Sequence, residues 1–122
     1  MQNPTDAELE ILQIIWNNGD VSVREVHEAL SNKKEVGYTT TLKIMQIMHD
    51  KGILSRDTSS RSHIYSAVVK KERTQCSLLT NFINNTFKGS TKQLIIQALG
   101  NAKPSQEELD EIKEIINKLE NQ

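Results

Sequence analysis

Apolar positions in the first 30 residues recur at helical spacing. Leu9, Leu12, Ile15 and Trp16 share one face of a helix that starts after Thr5, runs to about Asn18 and stops at Gly19. A second helix, from Val23 to about Leu30, turns Val26 and Leu30 inward. A third begins near Thr39 and stops at Gly52, with Leu42, Met45, Met48 and part of Ile44 as its apolar stripe. Three helix starts carry the same signature, a hydroxyl followed three residues later by Glu: Thr5 with Glu8, Ser22 with Glu25, and Ser105 with Glu108. In each, the hydroxyl caps a free backbone N–H while the carboxylate reaches back toward the positive helix end.

Beyond Gly52 the period changes. Two short strand-like runs, 53–56 and 63–69, flank the polar DTSSRS and predict a β-hairpin with a loose tip. Helical spacing then returns. Cys76, Leu79, Phe82, Ile83 and Phe87 form a wide apolar face closed by Lys88-Gly89. Ser90 with Gln93 caps a short helix carrying Leu94, Ile95, Ala98 and Leu99, which Gly100 is expected to terminate. After Pro104, Leu109, Ile112, Ile116 and Leu119 make a heptad-like seam. Fewer than two heptads cannot hold an isolated coiled coil, so this seam must pack on something.

Three helices followed by a two-stranded hairpin is the order of a winged helix-turn-helix, with the second and third helices as the DNA-binding pair and the hairpin as the wing. The predicted fold is mainly α: a winged helix-turn-helix over residues 1–70, then a three-helix domain over 71–122. The third helix has the chemistry of a reader. Thr39, Thr40, Lys43 and Gln46, with Ile47 beside them, line its outward face, able to meet phosphate oxygens, base edges and thymine methyls. No carboxylate lies between Val36 and His49, as a phosphate-facing helix requires. Arg24 is a candidate phosphate contact, or pairs with Glu28 one turn on. Arg61 and His63 flank the hairpin tip, where a wing approaches the backbone or minor groove; the alternative is a solvated loop. Tyr38 either touches a sugar-phosphate or plugs the turn between the two helices.

Charge at first argues against nucleic acid: 122 residues carry 15 Lys and Arg against 16 Asp and Glu, a net charge of -1. By position the sum comes apart. Residues 1–30 hold one base, Arg24, against six acids, whereas 36–71 hold six bases against Asp50 and Asp57. Residues 73–100 have three bases and no acid, and 101–122 return to three bases against six acids. A chain segregated in this way can present a basic face to a polyanion. The length allows one domain or a small domain with an appendage, and a modest core that a second copy could complete. With Cys76 alone, neither an internal disulfide nor a four-thiolate zinc site can form, which fits a reducing compartment. The acidic start lacks the basic region of a signal peptide, and no apolar run is long enough to cross a bilayer, so the expected location is the cytoplasm.

Catalysis is not expected. His27, His49 and His63 are scattered, and the chain has no HExxH, glycine-rich phosphate loop, GxSxG or repeated Cys/His spacing. Neither a metal nor a small-molecule cofactor is called for. The competing class is a winged helix that binds a protein partner through 39–46 without sequence-specific DNA binding.

TDAELEILQIIW, VSVREVHEAL, GYTTTLKIMQIMHDKGIL, the hairpin R.HIYSAV and NFINNTFKGS, in that order, resemble the penicillinase-repressor family of the BlaI, MecI and CopY type over nearly the whole chain. The resemblance implies a homodimeric transcriptional repressor that binds an inverted-repeat operator overlapping a promoter. It places recognition contacts on Thr39, Thr40 and Lys43, and wing contacts on Arg61 and His63. It also implies that Phe82, Ile83, Phe87, Leu94, Ile95, Leu109, Ile112, Ile116 and Leu119 interlock between two copies; the alternative is a monomeric helical cap. Copper-responsive members end in paired cysteine motifs, which the tail IINKLENQ lacks. β-Lactam-responsive members are cut by a membrane sensor-protease at an Asn-Phe bond, and the matching position here is Gln97-Ala98. Relief by proteolysis of the C-terminal domain is therefore implied, with three options open: a protease of different preference, a cut elsewhere, or another route to induction.

Overall fold

The computed structural model describes residues 3–122 and is mainly helical. Its elements run α1 (Asp6–Asn18), β1 (Val21–Ser22), α2 (Val23–Ser31), α3 (Tyr38–Asp50), β2 (Leu54–Asp57), β3 (Ile64–Ala67), α4 (Lys71–Phe87), α5 (Thr91–Ala102) and α6 (Gln106–Glu120). The three capping boxes form as read. Glu8 N–H donates to Thr5 Oγ1 at 3.2 Å while Thr5 N–H donates to Glu8 Oε1 at 2.9 Å, and the pairs Ser22/Glu25 and Ser105/Glu108 repeat the exchange.

The contacts fall into two units, one ending at Leu78 and the other spanning Leu79–Gln122. This division by contacts falls inside α4. Thr74 is buried, and Ser77 Oγ donates to Asn3 Oδ1 at 2.9 Å, so the first turns of α4 pack with the N-terminal elements.

In the first unit α1, α2 and α3 close over one core of Ile11, Leu12, Ile15, Val26, Leu30, Met45, Met48 and Tyr65, joined by Val21, Val23, Ile53 and Leu54. Ile11, and not Leu9, completes the buried stripe of α1; Leu9 is only half-buried. On α3, Met45 and Met48 are wholly buried, and Leu42 and Ile44 pack at their edge. Trp16 anchors the far end of the hairpin, its indole Nε1–H donating to the Val69 carbonyl at 3.1 Å.

The sheet has three strands in the order β1-β3-β2, all antiparallel. The predicted hairpin pairs Leu54 with Ala67 and Arg56 with Tyr65. The unexpected strand β1, pairing Val21 with Tyr65, is two residues long, too short to show an alternation in sequence. In the second unit Gly100 does not terminate α5, which continues to Ala102 and ends on Lys103 in the left-handed region (φ 46°). Helical hydrogen bonding tolerates an isolated Gly, whereas Pro104 forces the preceding residue out of the α region.

Glu8 is 3% exposed, although it sits in the first turn of a surface helix. Its Oε2 accepts from Lys51 Nζ at 2.8 Å, which ties the start of α1 to the residue that caps the C-terminus of α3. Burial pushes the Glu8 carboxyl upward, but the bonds from Lys51 and Thr5 outweigh it and hold the carboxyl below the ordinary glutamate range. A depressed folded-state value contributes stability above the unfolded value and loses it as pH falls through the folded one. Glu8→Gln should therefore lower unfolding free energy at neutral pH by about 1–3 kcal/mol. In urea titrations the gap from wild type should close as the solution is acidified; a gap constant across the acid range would show that the carboxylate charge is not its source.

Candidate nucleic-acid interface

The turn between α2 and α3 delivers α3 with a bare leading end. Gly37 caps the helix without a side chain, so its first-turn amides have no side-chain partner, and no acid lies in that turn. The three consecutive threonines divide by helical geometry. Thr41 is buried and its Oγ1–H donates to the Gly37 carbonyl at 3.3 Å, whereas Thr39 and Thr40 face solvent. Lys43, Gln46 and Ile47 continue the exposed row, and Lys43 takes part in no ion pair among the described residues.

Beside this row lies an open groove of about 870 Å³ between α2, α3 and the hairpin. Arg24 from α2, Gln46 from α3, and Arg56, Arg61 and His63 from the hairpin all line it. Arg24 forms no ion pair with Glu28 among the described residues; both side chains border the groove, Glu28 being its one acidic lining residue. Tyr38 is 47% exposed, so it is not a buried plug. Its ring meets His27 edge-on at 5.6 Å, and both rings line the groove wall. The groove therefore joins three guanidinium groups to the flank of α3, an arrangement suited to a polyanion.

Two local hydrogen bonds lie within the exposed hairpin tip. Ser59 N–H donates to Asp57 Oδ1 at 2.9 Å, and Ser60 Oγ–H donates to the Ser62 carbonyl at 2.7 Å. The bonds from Ser59 also hold the Asp57 carboxyl below its ordinary range. Arg61 and His63 stand exposed beside these bonds.

Arg56 was missed by sequence reasoning. It stands two residues after the buried Leu54 and opposite Tyr65, so strand alternation puts it on the same face as both, at the point where that face leaves the core. Counting by twos from Leu54 is the signal that finds it. Lys51 moves the other way, since its charge is engaged by Glu8 on α1. No group of three His, Cys, Asp or Glu side chains converges on a metal-sized space among the described residues, and no helix among them is long and apolar enough to cross a membrane.

Comparison with known proteins bears on this arrangement. The family model described as penicillinase repressor matches residues 4–118. The chain is 26% identical over 113 residues to the penicillinase repressor of Staphylococcus aureus, covering 93% of this chain and 90% of that one. It is 25% identical over 114 residues to the methicillin resistance regulatory protein MecI of Staphylococcus aureus strain N315, covering 93% of each. With the penicillinase repressor of Bacillus licheniformis the identity is 24% over 117 residues, covering 96% and 91%. A match that runs through the winged helix and on through all three C-terminal helices places this chain in the penicillinase repressor family.

Proposed function

We propose that the protein is a homodimeric transcriptional repressor that acts in the cytoplasm, inserting α3 into the major groove of an inverted-repeat operator. The observation that carries this reading is the carboxylate-free outward row Thr39, Thr40, Lys43 and Gln46 lying against a groove lined by Arg24, Arg56 and Arg61. In this reading the row meets base edges and phosphates, while the arginines and His63 hold the flanking backbone and set the register of the helix.

The C-terminal unit supports a second copy. No residue of α5 or α6 is buried. Phe82, Ile95, Ile116 and Leu119 are half or more exposed, or nearly so, and Ile83, Phe87, Leu94, Leu109 and Ile112 are only partly covered. Leu79, Ile96 and Ile115 add to the same apolar surface. Ile96 and Ile115 escaped a seam-by-seam count because each stands one position off it, next to Ile95 and Ile116. A unit this small cannot close a core of its own, and a matching unit from another chain supplies the missing apolar area. Release from DNA then follows loss of this unit, through a membrane sensor-protease acting on the Gln97–Ala98 region. Both residues are exposed, on a helix with no buried anchor.

The protein's own promoter is the first duplex to test. Lys43→Ala combined with Thr40→Ala should weaken binding by about 1–3 kcal/mol and flatten sequence preference; a variant that binds as tightly as wild type would remove α3 from the interface. Arg56→Ala should instead weaken all duplexes alike and reduce the salt slope of log affinity by about one. Sedimentation at micromolar concentration should give a species of about twice the 13.9 kDa chain mass. A single folded species at the chain mass would contradict the interlocked C-terminal units.

A further inference from the structure

Within the first unit the large apolar side chains exposed among the described residues are Tyr38, Ile47 and Val68, of which Tyr38 and Ile47 belong to α3. Tyr38 has a partner in His27. Ile47, at 41% exposure, points away from the buried face of α3 formed by Thr41, Met45 and Met48. At about 100° per residue, Thr40, Lys43 and Ile47 lie within about 60° of one another around the helix. Thr40 and Ile47 are separated along it by about 10 Å, or about three base-pair steps. Ile47 thus stands in the outward row and contributes little to the core.

We propose that Ile47 is a base-reading residue whose side chain closes on the C5 methyl group of a thymine in the major groove. This deepens, and rests on, the reading of α3 as the recognition helix. The chemistry narrows the choice to one base. Apart from the small C5–H of cytosine, the major-groove edge of a base pair displays hydrogen-bond donors and acceptors, and the thymine methyl is the one apolar group that projects into the groove. An isoleucine pressed against a cytosine amino group or a guanine carbonyl strips it of water and returns no hydrogen bond. Against a thymine methyl it buries apolar surface on both sides. Ile47 therefore selects for thymine and against the alternatives at one position of each half-site, beside the contacts of Lys43 one turn earlier.

The test uses the full-length protein and a duplex selected by it from a random-sequence pool. Each thymine is replaced in turn by deoxyuridine, which keeps base pairing and removes only the methyl group. At one thymine per half-site, wild type should lose about four-fold in affinity per methyl removed, or about sixteen-fold when both half-sites are changed. Ile47→Ala should bind the thymine and uracil duplexes equally at that position, with Ile47→Val intermediate. If no thymine position is coupled to residue 47, or if Ile47→Ala keeps the full uracil penalty, the proposal is overturned while α3 as reader stands. If no duplex is enriched, or Lys43→Ala with Thr40→Ala binds like wild type, the recognition-helix reading fails and takes this inference with it.

Discussion

One carboxylate, buried at the start of the first helix, fixes where the exposed row of α3 can stand. Glu8 closes the cap of α1 with Thr5 and reaches Lys51 at the far end of α3. Stripped of both partners, a carboxylate at 3% exposure would be strongly unfavourable, so α1 and the C-terminus of α3 are held to one relative position. Met45 and Met48 fill the space between them and set the rotation of α3 about its axis. With the inner face and the trailing end both committed, the outer face can remain a plain row of Thr, Lys and Gln that contributes nothing to folding. A surface free of structural duty is one whose residues can answer to a ligand.

The same pair revises the charge argument. Of the six bases in residues 36–71, Lys51 is engaged by α1, whereas Arg56 and Arg61 line the groove and Lys43 stands in the outward row. The acids of the first 30 residues divide as well. Glu8 and Glu25 close caps, Asp6 stands in the first turn of α1, Glu10 pairs with Lys34 at 2.7 Å and Asp20 does not line the groove, so Glu28 is the one of the six that borders it. Net charge near zero is thus compatible with a basic local field, because much of the negative charge is engaged at helix N-termini where the backbone dipole favours it. In the proposed complex Glu28 opposes the arginines and trims non-specific attraction to DNA.

What could be read from the sequence follows the range of the physics involved. Caps are local: a hydroxyl and a carboxylate three residues apart suffice, and Thr5, Ser22 and Ser105 all start helices. Helical stripes are nearly as local, though choosing between Leu9 and Ile11 needed to know which side of α1 meets α2 and α3. The two-residue strand β1 exists only because β3 is there to pair with it, and no property of Val21 or Ser22 announces that. The role of Lys51 spans 43 residues of sequence and Arg56 gains its place by leaving the core on the strand that Leu54 enters, so both are set by tertiary contacts. Gly100 misled because glycine weakens a helix without ending it; the ending at Lys103 is imposed by Pro104.

The exposed apolar surface of the second unit and the exposed polar row of the first pose one question of affinity. As a proposed reader, a single α3 with four or five outward side chains would reach few base edges. In the proposed dimer two such helices would bind two half-sites with the second contact made intramolecular, so that modest contacts multiply into a specific affinity. Occupancy in this scheme depends on the C-terminal interface as strongly as on the reading helix. The surface proposed for that interface includes Phe82 on α4 and Ile95, Ile116 and Leu119 on α5 and α6, two helices with no buried residue of their own. In the proposed mechanism a cut within α5 would remove α6 and its share of that surface, returning each α3 to the weak affinity of a single half-site without touching the core residues Met45, Met48 and Tyr65. Control through the C-terminal unit needs no change at all in the residues that face DNA.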